Sequence, residues 1–282
     1  MACLSDDDPL REALIAKDCP PLALPPSSSF EEHQEPIKTI AVRQVHIFAA
    51  HHCTRLPCDK LCDELGGHDD GKHHEVHCFT LLDQLATTIN AALHDLAIEQ
   101  EQLGSGVAKT NVGGFQSRHD LFEAKVADAH LEIRRLHMVA SAALGELGIE
   151  RVYPDQRSRP RMGEPHPAYA WLNVNRASDY NALHVHARDR WSAVYFVAAG
   201  EYGPGGQRGG TLVLRGGGER GCTHTYMPIH PEPGRLWLFS GSIPHTVLGA
   251  AGEPQGVQRA AHGRARISVA INFVDARSFD PL

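Results

Sequence analysis

The chain has 282 residues, of which 42% are hydrophobic and 22% charged, a balance that supports a packed core and argues against a disordered or fibrous design. A net charge of −7 with no Lys/Arg stripe argues against nucleic acid as a partner, and no run of about 18 uncharged apolar residues offers a membrane span. The 19 histidines make metal chemistry a live class, while seven cysteines, an odd count read without a secretory leader, predict reduced thiols and a cytoplasmic setting.

Residues 1–38 hold Pro20-Pro21, Pro25-Pro26 and the triplet Ser27 to Ser29, too little apolar surface to offset ordering, and are read as a flexible N-terminal arm. Residues 39–282 are read as a single domain, with helical support over 75–150 and a β core over 151–282. Thr39 to Ala49 partly alternates and predicts an opening strand. Phe79, Leu82, Leu85, Ile89, Leu93 and Leu96 recur at helical steps, predicting a helix from His77 to Gln102. The polar, glycine-bearing TNVGGFQSRHDL predicts a loop, and a second stripe from Leu121 to Leu147 predicts another helix ending near Gly148.

After Pro154 the texture changes. YAWLNV, SAVYFVA, GTLVLRG, GRLWLFSG, HTVLGA and RISVAINFV are short β segments separated by turn residues. The expected class is α+β, mainly β: a double-stranded β-helix (jelly roll) with the N-terminal helices packed on one sheet.

His184 and His186 are two residues apart in an extended stretch, so both imidazoles point to one side and reach one metal. His245 closes a later apolar run, and three nitrogens from neighbouring strands occupy one face of an octahedral ion. The competing reading is a plain His pair in a His-rich chain. Cys58-x3-Cys62 followed by His73-x3-His77 has zinc-like spacing, but its interval is short for a finger, and a solvated helix-plus-loop is the preferred reading there.

The order of parts resembles a known family. TNVGGFQS at Thr110 to Ser117, AWLNVNRASDYNALHVHARDRWSAVYFV at Ala170 to Val197, then PEPGRLWLFSGSIPHTV and RISVAINF are similar to an uncharacterised group within the iron(II)/2-oxoglutarate-dependent oxygenase superfamily. The resemblance covers roughly residues 40 to 275. It implies that His184 and His245 bind Fe(II), with His186 where most of the superfamily has Asp or Glu, leaving the site one charge more positive. Asp189 and Glu201 are the carboxylates near enough to substitute.

The same resemblance implies 2-oxoglutarate as cosubstrate, O2 as oxidant, ascorbate as an accessory reductant, and C–H oxidation of the substrate. Arg266 suits the distal carboxylate of 2-oxoglutarate, since its planar charge donates two parallel hydrogen bonds, and Ser268 points the same way. Arg259 and Arg264 compete for that role. Asn173, with Asn175 and Asn181, flanks the HxH and is a candidate to bond the cosubstrate. Alternation lets only one of Tyr195 and Phe196 face the cofactor pocket; the sequence does not choose, and Tyr195 is carried as the candidate.

Two other readings stay open at this point: a three-histidine cupin-type dioxygenase or isomerase without 2-oxoglutarate, and a non-catalytic jelly-roll binding protein. The cupin pattern calls for a Glu shortly after the HxH, and Arg188 to Trp191 offers none. The substrate, a small molecule or a peptide, and any homo-oligomer are not legible.

Overall fold

Residues buried on alternate sides of the C-terminal strands build two facing sheets, because a strand points successive side chains to opposite faces. The computed structural model describes residues 47–57, 73–149, 165–176, 179–186, 189–200, 210–217, 224–249 and 265–274. The expected arm at 1–38, most of the strand expected at Thr39 to Ala49, and Cys58, Cys62, Glu201, Arg259 and Arg264 lie outside the described residues.

The larger sheet joins β1 (Phe48–Pro57), β2 (His73–Leu81), β4 (Phe115–Gln116), β5 (Ala168–Asn175), β7 (Asp189–Ala199), β10 (Arg235–Ser240) and β12 (Arg266–Val274) in the order β1-β2-β10-β7-β12-β5-β4. The smaller joins β3 (Asn111–Val112), β6 (Tyr180–His184), β8 (Leu212–Gly217), β9 (His224–Ile229) and β11 (His245–Val247) in the order β3-β6-β11-β8-β9. The neighbouring strands pair antiparallel. The fold is a double-stranded β-helix, as the strand pattern predicts.

Two apolar layers hold it. Helices α1 (Asp83–Gln102) and α3 (Leu131–Glu146), with the short α2 (Ala124–Ala127), cover the outer face of the larger sheet. There Ile89, Leu93, Leu136 and Ala140 share one cluster with Leu172, Tyr195, Val269 and Ile271. Between the sheets Val76, Val194, Phe196 and Phe239 meet Leu212, Leu214, Met227, Ile229 and Val247. Fully burying one such side chain stabilises by about 1.5–3 kcal/mol.

Several expected boundaries move. The first helix starts at Asp83, not His77, because His77 to Thr80 pair with both β1 and β10 and Leu81 with β1; a strand buried on both faces hides its period of two behind continuous apolar residues. The second stripe breaks at His130, whose backbone is extended at φ −134°, ψ 97°. The expected loop TNVGGFQS instead supplies β3 to the smaller sheet and β4 to the larger. Gly113, at φ 82°, turns the chain between them. His224 to Ile229 form strand β9, paired with β8. Among the described residues no helix is long and apolar enough to cross a membrane.

Candidate metal centre

His184 ends β6 and His245 opens β11, and the antiparallel register sets them directly opposite each other. His186 follows in the β6–β7 connection, where its N–H donates to the Gly241 carbonyl (2.8 Å) and its own carbonyl accepts from Asp189 N–H (2.8 Å). The three donor atoms all lie within 4.8 Å of one another. Ring centroids are 5.0 Å apart for His184 and His186, 4.3 Å for His184 and His245, and 5.1 Å for His186 and His245. Gly241 makes the arrangement possible: a Cβ there would stand 2.1 Å from the Asp189 carbonyl oxygen and 2.7 Å from that of His186.

Tautomers follow from the backbone. His184 Nδ1 is 2.7 Å from the Ala182 carbonyl and His245 Nδ1 is 2.8 Å from the Ile243 carbonyl. A carbonyl only accepts, so each Nδ1 carries the proton and each Nε2 keeps its lone pair. Burial lowers the His184 pKa, brings His186 down to about 3 with help from His184 and His119, and holds His245 well below the usual histidine range. All three rings are neutral at pH 7, the state a metal requires.

On the same interior face, β12 presents Arg266 and then Ser268, 3% and 1% exposed. The Arg266 Nη1 donates to Asn175 Oδ1 (3.2 Å), its Nε has no hydrogen-bond partner, and its Cζ lies 5.2 Å from the Phe196 ring centroid. Arg266 makes no ion pair with a carboxylate of the described residues. Burial lowers its pKa to about 10, which leaves it charged at neutral pH. Gly210, at φ +76°, packs against it; a Cβ there would lie 2.6 Å from Arg266 Cδ. Asn175 Nδ2 donates onward to Asn181 Oδ1 (3.3 Å), linking the two sheets.

Asn173 sits across from Ser268 in register, buried, with an unpartnered Oδ1. Tyr195 is a correction. It belongs to the helix-side core and donates its hydroxyl to Asn90 Oδ1 on α1 (2.7 Å), while Phe196 is the residue that faces the interior. Asp189 is engaged elsewhere, accepting the Tyr169 hydroxyl at 2.5 Å. His73 and His77 lie on β2, whereas Cys58 and Cys62 are outside the described residues.

Sequence reasoning missed Gly241, Gly210 and His119. The His119 ring stacks on Trp171 at 4.4 Å, and Trp171 in turn lies 5.9 Å from the His186 ring. The glycines carry no pattern of their own; their role emerges only where another backbone or side chain approaches.

Residues 169–272 match the model of a family described as "Putative 2OG-Fe(II) oxygenase". No curated protein sequence matches the chain. Among solved structures, a prolyl-4-hydroxylase from Pseudomonas putida is 19% identical, with 67% of this chain and 87% of that one covered at a TM-score of 0.42. AviO1 from Streptomyces viridochromogenes Tue57 is 13% identical over 70% and 86%, at 0.43. An oxidoreductase of the 2OG-Fe(II) oxygenase family from Burkholderia pseudomallei is 12% identical over 88% and 73%, at 0.31. The strand pairing, and not these superpositions, defines the fold. The matched span runs from β5 through β12 and includes all three histidines and Arg266, so the chain is similar to that family over the strands that carry the candidate site.

Proposed function

We propose that the protein is an iron(II)/2-oxoglutarate-dependent hydroxylase in which His184, His186 and His245 hold the metal and Arg266 anchors the distal carboxylate of 2-oxoglutarate. The observation that carries this reading is Arg266: a charged guanidinium, almost wholly buried, facing the same interior as three neutral imidazoles, with no carboxylate of the described chain beside it. A buried cation without a counter-charge is costly, and a dicarboxylate ligand supplies one. A three-histidine cupin-type enzyme needs the triad alone and gives Arg266 no task.

Iron(II) with 2-oxoglutarate and O2 supplies oxidative decarboxylation to succinate and CO2, coupled to insertion of the second oxygen atom into a substrate C–H bond. The chain's own residues position and insulate. His184 and His245 each lock one tautomer through a carbonyl two residues upstream. Asn175 orients Arg266 from one side while Gly210 and Phe196 close over its stem and face. Ser268 and Asn173 present hydrogen-bonding groups beside it. With His186 in place of a carboxylate, all the protein's anion-binding charge opposite the cosubstrate is retained and none is cancelled by the ligand set. The helices share their apolar core with the larger sheet, so in this reading residues 39–282 act as one oxygenase domain.

The test is an anaerobic titration of the purified chain with Fe(II) and then 2-oxoglutarate, followed by the visible charge-transfer absorption of the chelate and, on admitting O2, by succinate. One equivalent of each is expected to saturate the signal. Metal uptake without 2-oxoglutarate binding would overturn the reading in favour of the cupin-type enzyme, and no metal uptake in favour of a binding protein.

A further inference from the structure

The edge hairpin of the larger sheet carries a second convergence of donor atoms. Cys53 and His77 are directly opposed in the β1–β2 register, and Glu75 precedes His77 by two residues, so alternation puts all three on one face. The thiol sulfur, a carboxylate oxygen and an imidazole nitrogen lie within 4.8 Å of one another. Phe79, next on that face, belongs to the helix-side core, so the cluster is on the opposite side of the sheet from the three-histidine centre.

His77 is held like a ligand. It is 5% exposed, its Nδ1 is 3.2 Å from His51 Nε2, and the His51 ring is itself stacked on Phe79 at 4.1 Å and 2°. In the tautomer that donates Nδ1–H to His51, the Nε2 lone pair faces Glu75 Oε2 at 3.6 Å, longer than a hydrogen bond. In that tautomer the Nε2 lone pair, a Glu75 oxygen and the Cys53 sulfur make a donor set that suits a cation. Burial also lowers the His77 pKa to about 4, so the ring stays neutral.

We propose that Cys53, Glu75 and His77 form a zinc(II) site, with His51 orienting His77. One sulfur, one nitrogen and one oxygen suit an ion that takes all three donor types without a preferred geometry, at about 2.0–2.3 Å from each. Burial and the Glu75 charge push the Cys53 thiol up to about 11, so zinc uptake at neutral pH exchanges the S–H proton for an S–Zn bond and releases one proton to solvent. The ion ties β1, which among the described residues is an edge strand paired with β2, to that neighbour. It acts as a clamp on that edge, independent of the chemistry inside the roll.

Cobalt(II), titrated into the full-length protein, is the probe. A near-ultraviolet thiolate-to-cobalt charge-transfer band should appear and be displaced by zinc; imidazoles of the other centre give no such band. Cys53→Ser should lose the band while keeping the wild-type far-ultraviolet circular dichroism, and zinc should raise the melting temperature of the wild type by more than that of this variant, in which only the three-histidine centre takes the ion. His51→Phe should keep the band with affinity weakened about ten- to a hundredfold, as for other orienting partners of a ligating histidine. Absence of the band in the wild type overturns the proposal. So does its survival in Cys53→Ser, which would assign the metal to another cysteine.

Discussion

Replacing Arg266 with methionine separates what the guanidinium costs the fold from what it does for a ligand. Burial lowers its pKa to about 10, and a depression of that size corresponds to about 3 kcal/mol against the charged form. Methionine removes this cost and fills much of the stem's volume. It also strands Asn175 Oδ1, whose bond to Nη1 is 3.2 Å, at a cost of about 1–2 kcal/mol. The metal-loaded, cosubstrate-free variant should therefore be more stable by about 1–2 kcal/mol, a rise of about 2–6 °C in melting temperature for a domain of this size. Two charge-assisted hydrogen bonds to a carboxylate are lost, about 3–5 kcal/mol, which weakens 2-oxoglutarate by roughly 10²–10⁴-fold. Thermal melts with and without 2-oxoglutarate read both effects at once: a higher baseline, and no ligand-induced rise. A variant that melts lower than wild type yet still responds fully to 2-oxoglutarate would refute the reasoning.

Two further outcomes follow from the same geometry. Gly241→Ala sets a Cβ 2.1 Å from the Asp189 carbonyl, so the β6–β7 connection must shift and carry His186 with it; iron affinity should fall at least about tenfold, and a metal titration matching wild type would count against the assignment. The pH dependence of the metal-free chain has a definite sign. His186 and His77 have folded pKa values lowered to about 3 and about 4, below the unfolded value of about 6.5. The unfolded chain takes up protons first, so stability present above pH 6.5 is lost as the pH falls, by about 2 kcal/mol per histidine at pH 5. Urea midpoints at pH 7 and pH 5 measure this, and equal midpoints would rule it out.

The C-terminal strands were readable because Gly and Pro punctuate them, and the pairs His184/His186 and Arg266/Ser268 were readable because a spacing of two fixes a common side. His245 needed only its position at the end of an apolar run. The choice between Tyr195 and Phe196 was not readable: β7 is buried on both faces, and hydrophobicity carries no alternation there. The same double burial disguised His77 to Leu81 as the first turn of a helix. TNVGGFQS looked like a loop because strands of two residues, Asn111–Val112 and Phe115–Gln116, are too short for any periodicity. Cys53 is legible only as a possible addition to the Cys58, Cys62, His73 and His77 spacing, because the register that sets it against His77 is hidden where that segment reads as the start of a helix.

Tyr195 and Phe196 are consecutive, yet one fastens α1 through Asn90 while the other floors the space around Arg266. A single peptide unit thus separates the helical buttress from the pocket, and an exchange at either position disturbs both. Among the described strands β3, β4 and β9 stand at the outer edges of their sheets, while β7 is a shared partition between two interiors.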